Sequence, residues 1–130
     1  MKTWLRNKIN KLCPGIGFDV LIPPDEKMGD YSINLAFVLA KKQNRNPKEV
    51  GEELAAKFLN HKEFKKYFDK IELAGNGFIN FYLSQDFLQK QLKEIHKQGD
   101  SFGKSKEGNH KIIVVEYSSP NIAKPMHIGH

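Results

Sequence analysis

The stretch from residue 70 to residue 83 constrains the fold more than any other. Lys70-Ile71-Glu72-Leu73-Ala74 alternates polar and apolar side chains, as a half-buried strand does. Gly75-Asn76-Gly77 is a turn signal, and Phe78-Ile79-Asn80-Phe81-Tyr82-Leu83 is a second run of strand formers. The spacing predicts an antiparallel hairpin.

Helical patterns surround it. Leu5, Ile9 and Leu12 recur at helical spacing among Lys2, Arg6, Lys8 and Lys11, which predicts an amphipathic helix over residues 2–12 with a solvated basic face. Cys13-Pro14-Gly15 ends it. Phe18 to Ile22 reads as a strand closed by Pro23-Pro24, residues 25–29 as a loop, and Ile33 to about Lys42 as a buried helix. Asn46-Pro47-Lys48-Glu49 is a helix start, with Asn46 as cap and Pro47 at the first helical position. Val50, Leu54 and Phe58 form its apolar face, and Phe64, Tyr67 and Phe68 carry helical spacing through the Lys-rich residues 61–70. There the aromatic stripe reads as core and the lysines as a solvated face. Ser84 caps a last helix to about Gln98, with Leu88, Leu92 and Ile95 inward and Gly99 as its stop.

Residues 101–110, with Gly103 and Gly108 among charges, read as a linker. Beyond it the character changes. Ile112-Ile113-Val114-Val115 is a continuous β-branched run, the mark of a strand buried on both faces of a parallel sheet. The expected class is α+β, a small antiparallel sheet packed with helices, followed by the first strand of a Rossmann-like α/β domain. The boundaries are 1–100 for the first domain, 101–110 for the linker and 111–130 for the start of the second. A lone parallel strand at 112–115 has no neighbour in this length of chain. Residues from about 104 onward are therefore expected to be extended, disordered or docked outside their usual arrangement.

Composition removes several classes. No run of about 18 apolar residues exists, so no membrane span is expected. The first residues lack a signal-peptide pattern, and the single Cys13 has no internal disulfide partner and reads as a small packed side chain. These features suit a cytoplasmic protein. The five histidines are scattered except for a final pair, and no metal-ligand spacing is present. The net charge of +6 is compatible with a polyanionic partner without proving one. Gly103-Lys104-Ser105 imitates the end of a phosphate-binding loop, but Gln98 stands where that motif needs its first glycine, and a helix rather than a strand precedes it.

The most informative string closes the chain: Ser118-Ser119-Pro120-Asn121-Ile122-Ala123-Lys124-Pro125-Met126-His127-Ile128-Gly129-His130, preceded by Val115-Glu116-Tyr117. A buried strand leading into such a loop suits nucleotide binding, because ligands of α/β sheets sit beyond the carboxyl ends of the strands. The string closely resembles the first signature of class I aminoacyl-tRNA synthetases, in the form used by arginyl-tRNA synthetases. The resemblance implies that His127 and His130 stabilise the phosphates of ATP, with Lys124 assisting. It implies also that Glu116, Ser119 and Asn121 line the arginine pocket. The chemistry is coherent, since activation of an amino acid at the α-phosphate depends on positioning and on donors aimed at developing charge.

Pro24, Gly29-Asp30-Tyr31-Ser32-Ile33-Asn34, residues 36–42, Asn46-Pro47 and Gly75-Asn76-Gly77-Phe78-Ile79-Asn80-Phe81 resemble the amino-terminal domain of the same family. That resemblance implies contact with the D-loop at the outer corner of tRNA. Phe78 offers a face for stacking on an unpaired base, Asn80 an amide for its edge, and Asn76 a further contact from the turn. Read by themselves, Phe78 is equally a core ring and Asn80 equally a paired strand amide. Alternation puts Phe78 and Asn80 on one face of the strand and Ile79 and Phe81 on the other. The resemblance further implies a monomeric enzyme acting on tRNA, arginine and ATP with Mg2+. The chain itself is expected to be an inactive fragment that lacks the remaining sheet, the second signature and the anticodon-reading domain. A freestanding α+β module that binds tRNA or protein is the alternative, as is a class I synthetase for another amino acid. The terminal motif speaks against the first, and the residues before His127 against the second.

Overall fold

The computed structural model describes residues 1–105, 108, 111–117 and 125. The chain divides into two compact units, Met1–Lys97 and Gln98–His130.

The first unit is a four-stranded antiparallel sheet with helices packed on it. In chain order the elements are α1 (Lys2–Leu12), β1 (Val20–Leu21), β2 (Tyr31–Ile33), α2 (Leu35–Gln43), α3 (Pro47–Asn60), β3 (Phe68–Ala74), β4 (Phe78–Leu83) and α4 (Gln85–Gln98), with short 3₁₀ turns at Glu26–Met28 and Phe64–Lys66; a third such turn, Gly99–Ser101, belongs to the second unit. The strand order is β1-β2-β4-β3. The predicted hairpin is present, with Ile71 opposite Phe81 and Ala74 opposite Phe78, and β4 also pairs with β2 so that Ser32 faces Asn80. α3 packs on β3, and α2 packs on α3 and β4. Asn46 caps α3 as its sequence implies, its Oδ1 accepting the Lys48 N–H at 2.9 Å.

The core is aromatic. Phe58, Phe64 and Phe81 are fully buried. The Phe58 and Phe64 rings stack with centroids 5.1 Å apart, Phe68 meets Phe81 at 5.2 Å, and Trp4 of α1 stands edge-on to Tyr67 at 4.6 Å. Such pairs add about 0.5–1.5 kcal/mol each beyond area burial. α1 joins this core through Leu5 and Ile9. Cys13 sits half-buried at its margin, where desolvation raises the thiol pKa and keeps it protonated.

Four readings from the sequence change. Ile33 ends a strand rather than opening a helix, because Tyr31–Ile33 is recruited by β1 and β4 on either side, a pairing of distant segments that local pattern does not record. The strand expected over 18–22 shortens to Val20–Leu21. Residues 61–70 do not continue a helix: a 3₁₀ turn at Phe64–Lys66 leads into β3 at Phe68, and the aromatics reach the core from a turn and a strand. Finally, the stripe on α4 faces outward, with Leu88, Leu92 and Ile95 38%, 66% and 37% exposed. Periodicity reveals an apolar face but not what covers it. The Ser84 Oγ cap on the Phe87 N–H and the Tyr67–Phe87 ring contact tie down the start of this helix.

The second unit is described only in part. Residues 111–117 lie outside helix and strand, and Ile112, Ile113, Val114 and Val115 are mostly exposed.

Two measurements test this architecture. Gly29 has φ +88° and ψ −177°, a conformation close to glycine-only, and an added Cβ would stand 2.8 Å from the Phe81 carbonyl oxygen. Gly29→Ala is expected to destabilise the chain by at least about 1–3 kcal/mol, read as a lower urea midpoint at unchanged slope. In amide exchange, Ile79 and Phe81 should be strongly protected while Val114 and Val115 exchange near the free-peptide rate.

Candidate nucleic-acid interface

The site begins with the two faces of β4. Ile79 and Phe81 are fully buried beneath the helices, as alternation demands once the helices cover one side. Their neighbours Phe78 and Asn80 face the other way. Phe78 keeps 39% of its surface exposed, and Asn80 is almost buried between Ser32 of β2 and Glu72 of β3.

A seam between residues 25–30 and β4 builds the wall opposite. Asp25 Oδ1 accepts the Lys27 N–H and starts a 3₁₀ turn. Gly29 then passes so close to Phe81 that a side chain would not fit. The Asp30 N–H donates to the Phe81 carbonyl at 2.9 Å, and Asp30 Oδ2 accepts the Leu83 N–H at 2.8 Å. Asn34 and Asp19 exchange two hydrogen bonds, 2.8 and 3.1 Å, which hold the approach to β1 against the start of α2.

Between seam and hairpin lies an open pocket of about 340 Å³. Leu21, Ile22, Pro23, Pro24 and Met28 line it on one side, and Ala74, Gly75 and Phe78 on the other. Ser32 and Asn80, both nearly buried, supply its polar groups. The volume lies at the small end of the range typical of ligand pockets, about 300–1,000 Å³. Leu21, Ile22, Met28 and Phe78 are each 39–72% exposed, so one open surface gathers four large apolar side chains. Such a cluster marks a contact site. Flat apolar walls with an amide and a hydroxyl at the base can sandwich an aromatic heterocycle and read its edge.

Further along β4, Tyr82 donates its hydroxyl to Glu72 Oε1 at 2.7 Å, and Lys70 bonds Glu72 Oε2 at 2.7 Å. The Lys70 ammonium also lies 4.8 Å from the Tyr82 ring centroid. Glu72 is held below the usual carboxylate range, first by Lys70 and then by Tyr82, and Tyr82 is raised chiefly by Glu72.

Of the residues singled out from sequence, the pocket brings together Phe78 and Asn80. Asn76 is exposed on the turn and does not line it. Glu116 is described, and is exposed. Ser119, Asn121, Lys124, His127 and His130 lie outside the described residues. Sequence reasoning missed Leu21, Ile22, Met28 and Ser32. The available signal was the apolar pair Leu21-Ile22 directly ahead of Pro23-Pro24, where a strand must stop. Among the described residues no group of His, Cys, Asp and Glu could hold a metal ion, and no helix is long and apolar enough to cross a membrane.

Comparison with known proteins gives first the class and then the family. Residues 91–130 match the model of the class I tRNA synthetase (R) catalytic domain, so the match begins within α4. Residues 1–83 match the arginyl tRNA synthetase N-terminal domain, and the chain belongs to the arginyl-tRNA synthetase family. The arginine–tRNA ligase of Clostridium kluyveri is 46% identical over 110 residues, 84% of this chain and 18% of that protein. That of Prosthecochloris aestuarii is 40% identical over 108 residues, 82% and 19% respectively. The crystal structure of arginyl-tRNA synthetase from Plasmodium falciparum superposes with a TM-score of 0.53 at 29% identity, covering 72% of this chain and 17% of that one. The chain thus spans about a fifth of the length of the curated relatives it matches.

The Lys70–Glu72–Tyr82 network makes a pH prediction. The folded pKa of Glu72 lies below its unfolded value, so its contribution is present above the ordinary carboxylate range, near about 4.3, and is lost as pH falls through the lower folded value. The Glu72 side chain is partly exposed, so solvent screening keeps the effect small. Thermal melts of wild type and Glu72→Gln should differ slightly at pH 6–7, wild type higher, and converge as pH falls below about 4.

Proposed function

We propose that the chain is the amino-terminal part of an arginine–tRNA ligase and that its folded unit docks the D-loop corner of tRNA, holding one unpaired base in the pocket beside Phe78. The observation that carries this reading is the pocket itself: apolar walls that need a partner, with Ser32 and Asn80 at the base. Phe78 stacks on the base, and the Asn80 amide pairs with its edge. Asn76 on the turn contributes at most a peripheral contact. The net charge of +6 favours the phosphates. The likeness to ligases that carry the same amino-terminal domain supports a tRNA partner over a protein one.

The catalytic share follows from motif resemblance. His127 and His130 donate to ATP phosphates and Lys124 adds a point charge, while Glu116 balances the arginine guanidinium, with Ser119 and Asn121 beside it. Arginine, ATP with its Mg2+, and tRNA are the substrates of the whole ligase, which acts in the cytoplasm as a monomer. The 130 residues alone are proposed to be inactive in that reaction.

Binding of the chain to a labelled arginine tRNA transcript over a salt series tests the docking role. Phe78→Ala should weaken it by about tenfold, the loss of one base stack, and Asn80→Ala by a similar factor, both with unchanged salt slope. Equal binding by wild type and both variants would discard the base pocket.

A further inference from the structure

The pocket has a neighbour. The Phe37 ring of α2 stands edge-on to Phe78, with centroids 5.2 Å apart and planes at 73°. The contact is enforced from below: Gly77, at φ +151°, lets the turn pass so near that an added Cβ would sit 3.1 Å from the Phe37 ring. Phe37 is half-buried, and with Val38, Lys41 and Lys42 it lines an open recess of about 660 Å³. Spacing explains the grouping, because residues four apart share a face of a helix, so Lys41 lies one turn beyond Phe37 and Lys42 one turn beyond Val38.

The two lysines differ. Lys42 Nζ reaches the Gly15 carbonyl at 3.4 Å, a contact within the fold. Lys41 is exposed and has neither a hydrogen bond nor an ion pair among the described residues, whereas Lys8, Lys70 and Arg45 are each matched with a glutamate. An uncompensated cation one helical turn from an aromatic ring is how single-stranded nucleic acid is held, with the ring taking a base and the cation a phosphate.

We propose that this recess takes the nucleotide adjoining the one held at Phe78, its base against Phe37 and its phosphate at Lys41. The proposal rests on the reading that tRNA docks at the Phe78 pocket. It commits to RNA because the recess is cationic and aromatic and continues that pocket through the Phe37–Phe78 ring pair.

The test uses the whole chain, a labelled arginine tRNA transcript and a salt series. Lys41→Ala, on an exposed helix position, should fold normally, weaken binding several-fold at moderate salt and reduce the salt slope by about 0.7, the value for one phosphate contact on a single strand. Lys41→Arg should restore both. Phe37→Leu keeps apolar bulk against Gly77 and should weaken binding with its salt slope intact. Phe78→Ala is run alongside. If Phe78→Ala weakens binding while Lys41→Ala and Phe37→Leu match wild type, the recess is overturned and the base pocket stands. If Phe78→Ala is neutral, the base pocket falls and Lys41 decides alone: a reduced slope keeps the phosphate contact, and an unchanged slope removes it.

Discussion

The pairing of β4 on both of its edges is the constraint on which the rest depends. A strand bonded on both sides has no freedom to slip, because a one-residue shift would exchange its buried and exposed faces. Ile79 and Phe81 are therefore committed to the helices, and Phe78 and Asn80 to the opposite side. The aromatic core acts through the same strand: Phe81 meets Phe58, Phe64 and Phe68, drawing in α3, the 3₁₀ turn before β3, and β3 itself.

The Gly29-Asp30 seam depends on that strand in turn. Its bonds go to backbone groups of Phe81 and Leu83, one from the Asp30 N–H and one through the Asp30 carboxylate, so the segment carrying Met28 and Pro24 is fixed relative to Phe78 by directed hydrogen bonds to β4. This explains how an open pocket holds its shape with walls that remain largely exposed. Holding flat walls apart in advance lowers the ordering cost of binding a planar group.

Charge is unevenly compensated. Several cations are occupied within the fold, pairing Lys8 with Glu63, Arg45 with Glu53 and Lys70 with Glu72. The excess of positive charge then falls on residues such as Lys41 that carry no such partner among those described. A surface of this kind attracts polyanions generally.

Much was legible from local pattern. The hairpin, the Asn46 cap with Pro47 behind it, the amphipathic α1 and the two faces of β4 follow from alternation, helical spacing and turn chemistry, which act between near neighbours. The terminal string and the amino-terminal motifs also carried the family. Tertiary structure alone decided the rest. Tyr31–Ile33 became a strand because β1 and β4 flank it, Phe64 and Phe68 reached the core without a helix, and the stripe of α4 turned outward. The pocket joins Leu21, Met28, Ser32 and Phe78, residues far apart in the chain, and Phe37 meets Phe78 across 41 positions. Such meetings depend on how elements pack, and a sequence read one window at a time records only what each element presents, not what it will face.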